Sequence, residues 1–197
     1  MSFDVWFAFA VYVVVASVTP GPNNTMLLAS GVNHGITRSW PHLLGVNIGF
    51  NILLAAVGLG LGGVFTQLPW LHGVLKVGGA AYLLWLAWKI ARSGPPSADG
   101  EPEPPITFLQ AALFQWINPK AWVMTLGTVA TYVPPDSYWS ALAIALPTFT
   151  VLGLPCGLVW VIAGSALSRL LRRPALLRAV NIVMALALAA SVAVVVI

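Results

Sequence analysis

Apolar residues run along this chain in long blocks, without the spaced faces of soluble helices. Six blocks, at roughly 4–31, 41–66, 70–90, 107–132, 138–165 and 179–197, reach the ~20 residues that a helix needs to cross a hydrocarbon core. Six spans of about 22 residues leave about 65 for connectors, too few for a soluble domain. The pattern predicts an all-α integral membrane protein built as a single membrane domain over residues 1–197. The first block lacks a basic leader, carries Asp4 and runs well past a signal-peptide core, so it reads as a membrane helix.

Polar and helix-breaking residues punctuate these blocks. Pro41 is expected in the first turn of span two, Pro69 separates spans two and three, and Pro134 and Pro135 separate spans four and five. Between spans three and four, residues 93–105 hold three of the five acids and five prolines. This predicts a mobile hydrated linker at 93–106 between two three-helix halves, 1–92 and 107–197. Arg38, Lys89, Arg92, Arg169, Arg172, Arg173 and Arg178, seven of the nine basic residues, fall on one side of the bilayer. That side is the cytoplasm by the positive-inside rule, which leaves both termini outside. Three spans per half requires the halves to be inverted relative to each other, the 3+3 plan of many secondary carriers.

Composition sharpens this picture mainly by exclusion. Of 197 residues 59% are apolar and 7% charged, with a mean hydropathy of +0.89, whereas soluble domains carry about 25% charged residues. A net charge of +4 comes from scattered residues and builds no patch for nucleic acid, so the bilayer is the expected partner. Cys156 stands alone, and His34, His42 and His72 lie near segment ends without ligand spacing, so neither a metal nor another cofactor is expected. No span contains Asp or Glu, no Walker loop occurs, and no histidine is expected beside a serine at membrane depth. An enzyme is not expected.

The chemistry is concentrated where two spans are interrupted. In span one, Thr19-Pro20-Gly21-Pro22-Asn23-Asn24 removes two backbone donors and should free the carbonyls of Ala16 and Val18. In span four, Pro119 frees the carbonyl of Gln115, Asn118 occupies an N-cap position, and Lys120 follows about 20 Å into the membrane. Broken helices 1 and 4 opening the two halves point to a midplane site. Half-helix N-termini suit a carboxylate, while carbonyls and amides suit an ammonium, so a zwitterion fits both. Asn23, Asn24, Asn118 and Lys120 are the expected substrate-facing residues, with Thr19, Pro20, Gly21, Pro22 and Pro119 shaping the backbone. Asn47 and Asn51, one turn apart, are expected to face the same cavity, with interhelical hydrogen bonding as the alternative. Lys120 and Lys76 have snorkelling as their alternative. Asn181 lies near the cytoplasmic start of span six. Gly45 and Gly49 form a small-residue stripe for packing within or between subunits, so a homodimer is a further expectation.

At these residues the chain resembles the LysE/RhtB family of bacterial amino-acid exporters over nearly its whole length. The resemblance rests on residues 19–24 with Gly31, Gly35 and Arg38, then Leu75-Lys76, Gly79-Ala80-Ala81-Tyr82-Leu83 and Lys89, then Asn118-Pro119-Lys120-Ala121. Residues 79–93 with Asn181-Ile182-Val183 are most similar to the cysteine/O-acetylserine exporter branch. The resemblance implies efflux of a small neutral amino acid or derivative across the inner membrane, driven by the proton gradient. Some members carry an acid in span two where this chain has Asn47 and Asn51, which weighs against a basic substrate and carboxylate-based coupling. The alternatives are a metal or cation exporter on the same scaffold and a non-transporting membrane assembly subunit.

Overall fold

The computed structural model describes residues 2–61, 69–92, 104–170 and 174–196. The expected linker residues 93–103, Arg172, Arg173 and the Lys76 side chain lie outside that description. Among the described residues every regular element is helical: α1 (Phe3–Val18), α2 (Pro22–Ala56, continued by a π-turn at Val57–Leu61), α3 (Pro69–Arg92) and α4 (Phe108–Phe114, then a 3-10 turn at Gln115–Ile117). After these come α5 (Pro119–Tyr132), α6 (Tyr138–Leu170) and α7 (Pro174–Val196).

Helix α2 is two arms joined at Gly35, whose φ of 71° and ψ of 179° no β-carbon would readily accept. The chain reverses there, so the second arm begins at Ile36. Pro41 therefore lies inside the helix, about a turn deeper than the first-turn position expected from sequence. The start of α4 is fixed by a capping box: Thr107 Oγ1 accepts from Gln110 N (3.3 Å) while Thr107 N donates to Gln110 Oε1 (3.0 Å).

The packing is apolar outside and polar within. Val77, Val123, Val151 and Val183, on four different helices, are each at least 65% exposed, whereas Gln115, Thr125, Thr128 and Asn181 are fully buried. Water disfavours that distribution and lipid permits it. Two large apolar clusters, with two smaller ones beside them, fill the interior. One joins the first arm of α2, α3, α4 and α7 through Met26, Leu83, Leu86, Phe114 and Leu188. The other joins α1, the second arm, α5 and α6 through Phe9, Val13, Phe50, Leu53, Ala121 and Phe149.

Bare backbone contacts lock these elements together. A β-carbon on Gly31 would stand 2.1 Å from the Val161 carbonyl oxygen, and one on Gly164 would stand 2.1 Å from that of Leu28. The first arm and α6 therefore cross glycine to glycine. Gly45 and Gly49 serve the same purpose against Phe108 and Ala112 of α4, so their stripe is used within the chain and lends nothing to a homodimer. Gly31→Ala and Gly164→Ala should each destabilise the purified protein by about 1–3 kcal/mol through overpacking. The double variant should cost less than the sum, because both report one crossing. Thermal unfolding in detergent checks this; wild-type midpoints would refute the crossing.

Candidate functional site

The first interruption begins where α1 ends. Thr19 N and Thr19 Oγ1 both donate to the Val15 carbonyl, at 3.0 and 2.6 Å. The extended torsions of Thr19 (φ −58°, ψ 133°) then turn its own carbonyl off the helix axis. The helix resumes with Pro22 in its first turn, where a missing N–H costs nothing. The carbonyls that side chains reach are those of Ser17, Thr19 and Pro20. Asn24, one turn into α2, donates from Nδ2 to Ser17 O and Thr19 O, both at 2.8 Å.

The second interruption is built differently. Helix α4 tightens into its 3-10 turn, letting Asn118 N reach the Gln115 carbonyl at 3.4 Å. Asn118 then caps α5: its Oδ1 accepts from Lys120 N at 3.1 Å, with Pro119 in the first turn.

The two interruptions meet. Lys120 Nζ donates to Thr19 O at 2.5 Å and stands 3.5 Å from Pro20 O. Asn23 Nδ2 donates to Gln115 Oε1 at 2.8 Å while Gln115 Nε2 donates to Asn23 Oδ1 at 3.1 Å, a closed amide pair between the breaks. Gln115, fully buried, also donates to Ala111 O. The sequence points to Gln115 only through its carbonyl, which accepts from Asn118 N and so is not left free. An amide in the interior of an apolar helix, just before a break, is the signal for its side chain. Gly21 has ordinary extended torsions, so its glycine is explained by proximity: a β-carbon there would stand 2.9 Å from Lys120 Cδ and 3.3 Å from Nζ.

A cavity opens between the breaks. About 70 Å³ of it is open to the centres of water molecules, several times the ~10–15 Å³ that one water requires. Its polar wall is Ser17, Asn23, Asn24, Asn47, Asn118 and Lys120, and its apolar wall includes Leu27, Leu43, Phe50, Met124 and Phe149. Asn118 is buried there, with no hydrogen-bond partner for its Nδ2 among the described residues. Asn47 reaches Thr150 O of α6 at 3.4 Å.

Asn51 departs from the expectation. It lies off the cavity wall and donates back to Asn47 O at 3.0 Å, because its position one turn further along the arm carries it past the opening. Of the backbone-shaping residues, Gly21 touches the cavity, while Thr19, Pro20, Pro22 and Pro119 set the chain path around it. Two other pairs were not foreseen. Asn33 and Asn181 exchange amide hydrogen bonds at 3.0 and 2.9 Å, tying the first arm to α7. Contrary to expectation, a histidine does meet a serine: Ser30 Oγ lies 2.7 Å from His42 Nδ1. The reversal at Gly35 brings these positions together, and His42 is fully buried, away from the cavity wall. Among the described residues no three His, Cys, Asp or Glu side chains gather to hold a metal.

The LysE type translocator family model matches residues 14–197. The chain is 34% identical over 186 residues to proteins named cysteine/O-acetylserine efflux protein from Escherichia coli (strain K12), Shigella flexneri serotype 5b (strain 8401) and Shigella sonnei (strain Ss046). In each comparison 92% of both chains is covered. No solved structure matches the chain.

The amide pair gives a sharp test of the site's architecture. Asn23→Ala and Gln115→Ala should each cost about 1–3 kcal/mol, since each removes both bonds of the pair and Asn23→Ala leaves Gln115 Oε1 buried without its donor. The double variant should cost less than the sum of the two. A thermal-unfolding double-mutant cycle in detergent measures the coupling, and strict additivity would refute the pair.

Proposed function

We propose a specific function from one premise: this chain belongs to the LysE type translocator family and works as an amino-acid exporter. Its substrate is a small neutral amino acid or derivative, cysteine- or O-acetylserine-like, with homoserine or threonine as the next candidates. The 34% identity to the efflux proteins of that name supports the first choice. The chain spans the bacterial inner membrane six times, α1 with the first arm of α2 forming span one and α4 with α5 forming span four. Packing supports the 3+3 inverted arrangement, because α1 lies on α6 as α4 lies on the second arm.

The observation that carries the reading is the cavity where both interrupted helices converge. It offers donors from Lys120 and Asn118 and acceptors from the Asn23, Asn24 and Asn47 amide oxygens, and Lys120 links it to the turned-out carbonyls of Thr19 and Pro20. That set matches a zwitterion, donors to its carboxylate and acceptors to its ammonium. The cavity is walled by Phe50, Ala121 and Phe149 of one apolar cluster and by Leu27 and Leu43 of another. Alternating access separates one cluster and then the other, exposing the site to each side in turn, with the proton gradient driving the cycle. A metal or cation exporter fits poorly, since the cavity already holds an ammonium and none of its described lining residues is Asp or Glu. A non-transporting assembly subunit has no use for such a cavity.

Proteoliposomes loaded with labelled cysteine, serine or threonine, with and without a pH gradient, test the proposal. Wild type should release at least one of them, faster with the gradient. Pro20→Ala and Asn118→Ala should each slow release about tenfold or more while the protein still unfolds cooperatively. Verified wild-type protein that moves no amino acid would overturn the function.

A further inference from the structure

We propose that the Lys120 ammonium is an internal stand-in for the ammonium of the substrate. It holds the carbonyls of the first break while the cavity is empty, and a bound amino acid displaces it. The inference rests on the exporter reading and adds how the empty carrier is completed.

The carbonyls of Thr19 and Pro20 form a cradle for an N–H-rich cation, and Lys120 Nζ lies in it at 2.5 and 3.5 Å. The α-ammonium of an amino acid presents the same three donors and competes for the same oxygens. The contact crosses the molecule, from the start of α5 to the end of α1, so filling the cradle from within also ties one half to the other. Gly21 supplies the room, since a β-carbon there would stand 2.9 Å from the lysine Cδ.

Displacement leaves Lys120 with a new use. Its backbone sits in the first turn of α5, next to Asn118, whose Nδ2 is buried there without a partner among the described residues. Once released, the lysine and that amide are two donors facing the other end of the substrate, its carboxylate. Each charge then has a partner, the substrate ammonium in the carbonyl cradle and its carboxylate against the displaced lysine. The net charge of the site stays that of the one fixed cation lining a cavity with no described acid. An amine without a carboxylate would bring a second cation to one cradle and offer nothing to the displaced lysine.

The arrangement separates two modes of transport. Substrate-for-substrate exchange keeps the cradle filled by substrate throughout. Net efflux requires the empty carrier to return, and only then must Lys120 fill the cradle. In proteoliposomes loaded with labelled cysteine, Lys120→Met, which also removes a donor to the substrate carboxylate, should slow both modes but lower net efflux into amino-acid-free buffer about tenfold more than exchange against external cysteine. Gly21→Ala keeps every charge but pushes the lysine stem aside, and should shift the two modes in the same direction. It also supplies the readout if Lys120→Met does not reach the membrane. External cysteamine, which lacks the carboxylate, should not exchange. Equal loss of both modes would assign Lys120 to holding substrate alone and overturn the proposal, as would unchanged net efflux or exchange with cysteamine. Wild type inactive in both modes would overturn the exporter reading itself, whereas an active wild type with unaltered variants would overturn only the stand-in role.

Discussion

Backbone groups freed inside an apolar bundle must find partners, and most of this structure follows from how that requirement is met at two breaks. A buried amide or carbonyl left unpaired costs about 2–7 kcal/mol, comparable with the net stability of a small protein. The break at residues 19–21 draws donors from Asn24, a turn ahead, and from Lys120, on the other half of the chain. The break before Pro119 closes on itself through a 3-10 turn and an asparagine cap. Because one break depends on a residue of the other, they have to converge. The cavity is the space left where they do so.

Convergence needs a rigid surround, and two kinds of packing provide it. The apolar clusters hold the half-helices on either side of the polar layer, Met26 and Phe114 in one and Phe9 and Phe149 in the other. The glycine crossings bring backbones closer than side chains allow, with Gly31 on α6 and Gly164 on α2. Lipid gives no hydrophobic drive for helices to associate, so close backbone contact and buried amide pairs must supply cohesion. Asn23 with Gln115 and Asn33 with Asn181 supply it between elements far apart in sequence.

Local signals were legible in the sequence and distant pairings were not. Proline removes a donor wherever it stands, so Pro20, Pro22 and Pro119 marked both interruptions, and Asn before Pro119 marked the cap. Asn23, Asn24, Asn47, Asn118 and Lys120 could be nominated because amides and a cation are costly in an apolar span. Their partners could not. Asn23 and Gln115 are 92 residues apart and Lys120 and Thr19 are 101 apart, and periodicity carries no information at that range. Asn51 looked equivalent to Asn47 because one helical turn separates them, yet the cavity ends between the two. Gly35 read as part of a connector, and only its positive φ shows that it is the reversal itself, which also brings Ser30 to His42.

The kind of polarity matters as much as its place. A carboxylate 4 Å from the Lys120 ammonium would attract it by about 4 kcal/mol at an effective dielectric near 20, whereas a hydrogen bond from a charged donor to a neutral carbonyl contributes about 1.5–3 kcal/mol. An acid on this wall would fix the lysine in place. The Thr19 and Pro20 carbonyls hold it with a strength that a second ammonium, of the same chemistry and accompanied by its own carboxylate, can match. Asparagine at position 47, where an acid would bind more tightly, is therefore consistent with a site that has to release what it holds. A transporter turns over only if no occupant, its own lysine included, is bound too well to leave.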